Sequence, residues 1–264
     1  MPATVPAAAR TMAVFEVFAR EKRELLNSDV ARFLNMPESS CSDLLHTLYE
    51  AGFLMRTPRT RRFYPTSRLF VTASEITKND PLYIAAVEAI ELLTEKTGET
   101  TFAGRLDEGA SKVVAVQEGR HSLRYMLQVG ERIALHASAL GKALMGGLPA
   151  AEMARQLRLK PMRKITPATL TDLPLLEQQI AMQRERGWYS VDEEGNEGVT
   201  AYALSGLVGD DPLAISVAGP TDRMQRNRED YLAALHQVAT VTFTGYLNQI
   251  IQAEANGHAG VLCT

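Results

Sequence analysis

The chain has 264 residues, 45% of them hydrophobic and 22% charged, with a formal net charge of −3. That length allows one large or two ordinary domains, and the composition is globular rather than disordered. No apolar run approaches the roughly 18 residues of a membrane span. The opening MPATVPAAARTMAV lacks a secretion pattern, and Cys41 and Cys263 share no metal or redox spacing, so a reducing cytoplasm is expected.

Charge is unevenly spread. Residues 1–75 carry ten Lys or Arg against eight acids, whereas the remainder is acidic. Within residues 52–70 there are five arginines and no acid, a local basic segment of the kind that meets nucleic acid.

Three short helices are expected first. Thr11 is placed to cap the first, with Ala13, Val14, Val17 and Phe18 repeating on one face. Asn27 or Ser28 would cap the second, which runs through Val30, Ala31 and Leu34. Asn35 and Met36 form a tight turn, and Pro37 suits the first turn of a third helix. That helix carries Cys41, Leu44, Leu45 and Leu48 on one stripe and stops at Gly52. Its place on the stripe makes Cys41 a core residue rather than a redox sensor.

The second and third helices form a helix-turn-helix. Residues 53–56 and 62–65 then read as two short strands around the basic tip 57–61, which makes a wing. The third helix would enter the major groove, with Arg59, Arg61 and Arg62 meeting phosphates or the minor groove. Its outer face has no Lys or Arg, only Glu38, Ser39, Ser40, Ser42, Asp43 and His46. Bases would therefore be read by the serines, by His46 and by carboxylate contacts to cytosine, while the wing supplies charge. The alternative is a helical protein-interaction module bearing a basic hairpin.

Residues 66–78 look like a linking helix. Asp80 and Pro81 then cap and open a helix over 81–96, with Ile84, Val87, Ile90 and Leu93 on one face. The domains expected are a winged helix over 1–66, a linking helix over 67–79 and a larger domain over 80–252. Strands are predicted at 100–106, 112–118, 122–129, 188–191, 199–208 and 213–218. Helices are predicted at 137–146, 150–158, 172–186 and 225–252, and a disordered tail at 253–264. The order suggests an antiparallel sheet with helices packed on it, an α+β sensor domain.

Enzyme signatures are missing. Gly141-Lys142 lacks the preceding glycine of a phosphate loop, and neither Ser138 nor Ser205 sits in a nucleophile elbow. The five histidines have no metal spacing, so no metal or cofactor is expected. The acidic run Asp192, Glu193, Glu194 reads as a solvated turn, with a metal or acid/base site as the alternative.

Two segments carry a family resemblance. Leu135-His136-Ala137-Ser138-Ala139-Leu140-Gly141-Lys142-Ala143-Leu144 resembles the LHA(S/T)xxGKAxLA signature of the IclR family of bacterial transcription regulators. Arg186-Gly187-Trp188-Tyr189-Ser190-Val191-Asp192-Glu193-Glu194, followed by Gly198-Val199, is similar to its RGYAxDxEE…GV stretch. Residues 214–220 are similar to its AxSVSGP end, and residues 36–40 to its LPxS(S/T) helix start.

The resemblance implies a winged helix, a linking helix and a GAF-like effector domain. Family members dimerise through the DNA-binding half and form dimers of dimers. Their effectors are small carboxylates such as glyoxylate or pyruvate, or aromatic acids such as hydroxybenzoates. Carried over by position, backbone amides within residues 138–141 (Ser138, Ala139, Leu140, Gly141) would hold the effector carboxylate, which suits the free donors of a helix start. Asp192 would accept from the ligand or order its loop, and Ile133, Val199 and Ala201 would line the apolar wall, with Ser216 a further candidate for the effector site.

Several residues depart from the family pattern. Ala201 stands where many relatives have Cys or Ser, and Leu140 is bulkier than usual. Tyr125 is available to stack on a ring or hydrogen-bond to it, and Arg105 is a second candidate for the carboxylate. Glu38 and Asp43 stand where relatives often carry Lys or Arg. The expectation is a non-catalytic regulator of a catabolic operon, binding an approximately palindromic operator as a homodimer or dimer of dimers, with no membrane partner. The rival readings are an enzyme acting on a small acid and an adaptor that binds no DNA.

Overall fold

The structure is a computed structural model in which residues 5–244 are described. The chain divides into two compact units, Met1–Asn79 and Asp80–Thr264. The tail expected at 253–264, and the end of the helix expected at 225–252, lie outside the described residues.

The first unit contains α1 (Pro6–Glu21), α2 (Asn27–Phe33), α3 (Glu38–Glu50), β1 (Leu54–Arg56), β2 (Phe63–Pro65) and α4 (Ser67–Lys78). Its core joins Val14, Val17 and Phe18 of α1 to Val30, Ala31, Cys41, Leu45 and Leu48, closed by Leu25, Leu54 and Phe63. The helix starts differ from expectation. Pro6 opens α1, and Thr11 lies inside it, where its hydroxyl donates to the Ala7 carbonyl one turn back. The cap of α2 is Leu26, whose N–H donates to the Asp29 carboxylate (3.1 Å), rather than Asn27 or Ser28. Asn35 takes the left-handed conformation of the turn (φ 49°) and Gly52 that of the α3 exit (φ 74°).

Strands β1 and β2 pair antiparallel, Leu54 opposite Pro65 and Arg56 opposite Phe63, so residues 57–62 form the wing loop. Thr66 caps α4 by accepting from the Arg68 N–H. No residue of α4 is buried, and Phe70, Val71 and Ile76 are exposed.

The second unit begins with α5 (Pro81–Thr97), whose cap Asp80 accepts from the Leu82 N–H (3.0 Å). Strands β3 (Thr100–Leu106), β4 (Ala110–Gln117) and β5 (Arg132–Ala134) follow, then α6 (Ala139–Gly146), α7 (Ala150–Arg158) and α8 (Leu173–Glu185). The chain closes with β6 (Tyr189–Asp192), β7 (Val199–Val208), β8 (Asp211–Pro220), α9 (Thr221–Arg226) and α10 (Arg228–Thr242). The six strands form one antiparallel sheet in the order β5-β4-β3-β8-β7-β6.

Strand alternation sends Tyr202, Leu204, Ile215 and Val217 to the face covered by α5 and α10. It sends Phe102, Ala201, Ala203, Ala214 and Ala218 to the face covered by α6 and α8. The result is an α+β sandwich with helices on both sides of the sheet.

Four expectations are corrected. Residues 122–129 form no strand, and the edge strand is β5. The buried face of α5 is Leu82, Ala86, Ala89, Ile90 and Leu93, so Ile84 points outward. The helix expected from 137 starts two residues later, with Ser138 as its cap. The terminal helix is broken at Asn227 into α9 and α10.

Candidate functional site

On α3, Ser39, Ser40, Ser42, Asp43 and His46 are all exposed, on the side away from the buried Cys41, Leu45 and Leu48. Glu38 is exposed with them, and His46 stacks on Tyr49. Cys41 is fully buried, and burial pushes its thiol up to about 11, which keeps it protonated and inert.

The wing arginines are not equivalent. Arg59 and Arg61 are exposed, and Arg61 has a left-handed backbone (φ 53°). Arg62 is half-buried and donates to the Glu24 carbonyl (3.5 Å), so part of its guanidinium is committed to the fold. Thr57 braces the loop by accepting from the Arg62 N–H and donating to the Arg62 carbonyl.

In the second unit a cavity of about 500 Å³ opens between the sheet and the start of α6. Of the residues expected at an effector site, Tyr125, Ile133, Ser138, Ala139, Leu140, Val199, Ala201 and Ser216 line it. Three do not. Arg105 is exposed and lies one residue out of phase with Phe102, so alternation along β3 turns it away. Asp192 is likewise out of phase with Val191, a lining residue, and instead accepts from the Thr200 hydroxyl (2.9 Å). The amide of Gly141 is already bound to Ser138 Oγ (3.1 Å).

The start of α6 is shaped by its sequence. Ser138 caps the helix and its hydroxyl donates to the Ala134 carbonyl (2.6 Å), which fixes the cap on β5. A Cβ at position 141 would overlap the Leu135 backbone, so only glycine lets α6 approach that closely. Ala139 and Leu140, the first two residues of the helix, have amides with no intrahelical acceptor and no other partner among the described residues. Those two N–H groups, at the positive end of the helix, suit an anion. Ser216 Oγ also has no partner among the described residues and lies on the cavity wall.

The acidic run behaves unlike a solvated turn. Glu194 is buried and pairs with Lys142 Nζ through both oxygens (2.6 and 2.7 Å), and Lys142 also donates to Gln179 (2.6 Å). Burial pulls the Lys142 ammonium below its ordinary range, opposed by Glu194 beside it. The hydroxyls of Thr166 and Thr169 donate to the carbonyls of Glu193 and Glu194, which holds the β6–β7 loop against the body of the domain.

Sequence reasoning missed Phe102, Met126, Leu127, Glu131, Arg132, Ile165 and Asn196, all of which line the cavity. It also missed the burial of Lys142, for which the one local signal was a lone charge within the apolar run 139–146.

A winged helix with a basic tip and an α+β domain enclosing a small-molecule cavity define a DNA-binding, effector-binding transcriptional regulator. Two family descriptions match the chain: "Bacterial transcriptional regulator IclR C-terminal" over residues 74–241 and "IclR helix-turn-helix domain" over residues 7–58. The chain belongs to the IclR family and is a regulator rather than an enzyme, with a GAF-like effector domain.

It is 30% identical over 203 residues to the HTH-type transcriptional regulator BhcR of Paracoccus denitrificans, covering 76% of this chain and 73% of that one. A transcriptional regulator structure from Rhodococcus sp. RHA1 is similar at a TM-score of 0.75 and 23% identity, covering 96% of this chain and 99% of the other. An IclR homologue from Microbacterium hydrocarbonoxydans, complexed with 4-hydroxybenzoate, is similar at a TM-score of 0.67 and 19% identity, covering 89% and 99%. No described helix is long and apolar enough to cross a membrane.

Proposed function

We propose that the chain controls a catabolic operon from the cytoplasm in response to a small carboxylic acid with an apolar, aromatic or aliphatic, body. The observation that carries this reading is the pair of unpartnered amides at Ala139 and Leu140, opening on a cavity walled by Phe102, Ile133, Val191, Val199 and Ala201. The amides would take the carboxylate, and the apolar wall would take the rest of the molecule. Ala201, where many relatives carry a polar group, favours a larger acid over glyoxylate. The Microbacterium homologue gives a precedent for an aromatic acid in this fold.

The functional division adopted is a DNA reader over 1–66, a linking helix over 67–79 and an effector domain over 80–252. Exposed Phe70, Val71 and Ile76 on α4 support a homodimer, which would read an approximately palindromic operator. The acid acts by binding DNA-competent and DNA-incompetent states unequally, with a coupling on the order of 1–3 kcal/mol.

Calorimetry with aliphatic and aromatic acids tests the site. Ala201→Phe fills the cavity and should abolish binding, whereas Asp192→Ala, on the opposite side of β6, should bind like wild type. The reading fails if no acid binds, or if Ala201→Phe binds as tightly as wild type. Light scattering that finds only a 29.0 kDa species while operator binding is intact would refute the dimer.

A further inference from the structure

The second unit carries a basic segment that the effector cavity does not account for. Residues 153–171 hold Arg155, Arg158, Lys160, Arg163 and Lys164 and no acid, as many cations as residues 52–70 around the wing hold over the same length. The segment stands out because the chain beyond residue 75 is acidic overall. All five side chains are exposed.

Their surroundings leave four of them unused. Arg155 is bound to Glu152 (2.6 and 2.8 Å), and its place in the last turn of α7 suits the helix dipole. That accounts for Arg155 but not for Lys160, Arg163 and Lys164, which lie beyond the helix. Arg158, Lys160, Arg163 and Lys164 make no side-chain hydrogen bond or ion pair among the described residues. The turn beside Lys160, at Gly109, has two acids: Asp107 is taken by Arg132 (2.8 Å), and Glu108 makes no ion pair among the described residues.

The backbone under these cations is fixed. Gln156 Oε1 accepts from the Gly109 N–H (3.0 Å), and His136 Nε2 donates to the Arg163 carbonyl (3.0 Å). The N–H groups of Ile165 and Thr166 donate to Thr169 Oγ1 (3.1 and 2.8 Å). A partner therefore has only side chains to order, which lowers the cost of binding.

Of the four, Lys160 alone borders the nearby cavity of about 200 Å³, so the group does not converge on one small anion. Separate, exposed and unpaired cations suit an extended polyanion. The chain is a DNA-binding regulator. Once its winged helix holds a duplex, the adjoining phosphates are present at high effective concentration, whereas any other polyanion must arrive from solution. Exposed Leu159 and Ile165 beside the patch make an acidic protein the rival occupant.

We infer that the effector domain makes a DNA contact of its own. Arg158, Lys160, Arg163 and Lys164 meet backbone phosphates outside the bases that the winged helix reads, without sequence preference.

The test uses the full chain and the operator recovered by binding-site selection, on two duplexes. One is trimmed to the shortest length that keeps full sequence discrimination, and the other adds unrelated sequence of about 21 bp, two helical turns, at each end. Between about 50 and about 200 mM salt, wild type should lose more affinity on the long duplex than on the short, by about 3.5-fold for each extra phosphate contact. Combining Arg158→Gln, Lys160→Gln, Arg163→Gln and Lys164→Gln should abolish that excess and leave the short duplex bound within about twofold of wild type. Arg158→Lys with Arg163→Lys, which keeps the charge, should retain it. Arg59→Ala with Arg61→Ala should instead weaken binding to both duplexes. Fluorescence melting of Trp188 establishes that the variants fold. The inference is overturned if wild type shows no excess on the long duplex, the outcome expected of a patch that serves an acidic protein. It is overturned equally if the fourfold variant keeps the excess, or loses affinity on both duplexes alike.

Discussion

Replacing Glu194 by Gln removes one charge from the Lys142 pair with little change in shape. Lys142 Nζ is fully buried and spends its hydrogens on Glu194 and Gln179 alone, so the variant leaves a buried ammonium facing two neutral amides. Breaking one side of such a pair costs about 3–5 kcal/mol. In a unit of this size that lowers the unfolding midpoint by roughly 6–20 °C. The chain has a single tryptophan, Trp188, in the second unit, so tryptophan fluorescence follows that unit without a signal from the DNA-binding half.

The pH dependence identifies the cause. The folded pKa of Lys142 already lies below its ordinary 10.5, and Glu194 is what opposes the fall. Without Glu194 it should fall further. A lysine whose folded pKa is below its unfolded value binds fewer protons when folded, so stability rises with pH between the two values. The deficit of Glu194→Gln should therefore shrink as pH climbs from 7 towards 10. A second change, Lys142→Met in the Glu194→Gln background, should recover much of the loss at pH 7 because no buried charge remains. A loss under about 1 kcal/mol, the range of exposed pairs, or a deficit that does not change with pH, would refute the argument that the pair is desolvated.

Three further outcomes are expected. Arg59→Ala with Arg61→Ala should reduce the salt dependence of operator binding by about 1.8 in log–log slope, at 0.9 per lost phosphate contact. Adding Arg62→Ala should lower stability as well as affinity, since that side chain also holds the Glu24 carbonyl. Single replacements of Ser39, Ser42 or His46 should change the preferred sequence in a binding-site selection, at about 1–3 kcal/mol for a good base contact, and an unchanged motif in all three would count against base reading by α3. In a Cys263→Ser background, Cys41 should react with a thiol reagent only on unfolding, because its thiol is buried and raised to about 11; rapid labelling of the native protein would contradict its core position.

Much of the first unit was legible because its signals are local. The Cys41–Leu48 stripe, the Asn35 turn and the Gly52 stop are read from neighbours a few residues apart, and the basic tip lies between two short apolar runs. Residues 122–129 misled for a physical reason. Leu123, Tyr125, Leu127 and Val129 alternate as a half-buried strand would, yet Leu123 and Val129 are exposed. Alternation implies extended backbone, not a partner, and the outer edge of β4 is taken instead by β5. At the cavity, residues 135–144 could be placed because they resemble a family signature, whereas local pattern alone began the helix two residues before Ala139 and did not single out Ser138 as its cap. Asn196 and the Lys142–Glu194 pair could not, since each depends on a contact across more than fifty residues that no local rule encodes.

The chain also restarts cleanly at Asp80. The residues before it have their own core around Val14, Leu45 and Phe63, and those after it open with a capped, proline-started helix and enclose two further cores. A crossover in the gene near this junction would therefore split neither core nor helix. Reader and sensor could be exchanged among relatives as intact modules, so that the operator recognised and the molecule sensed are free to diverge at separate rates.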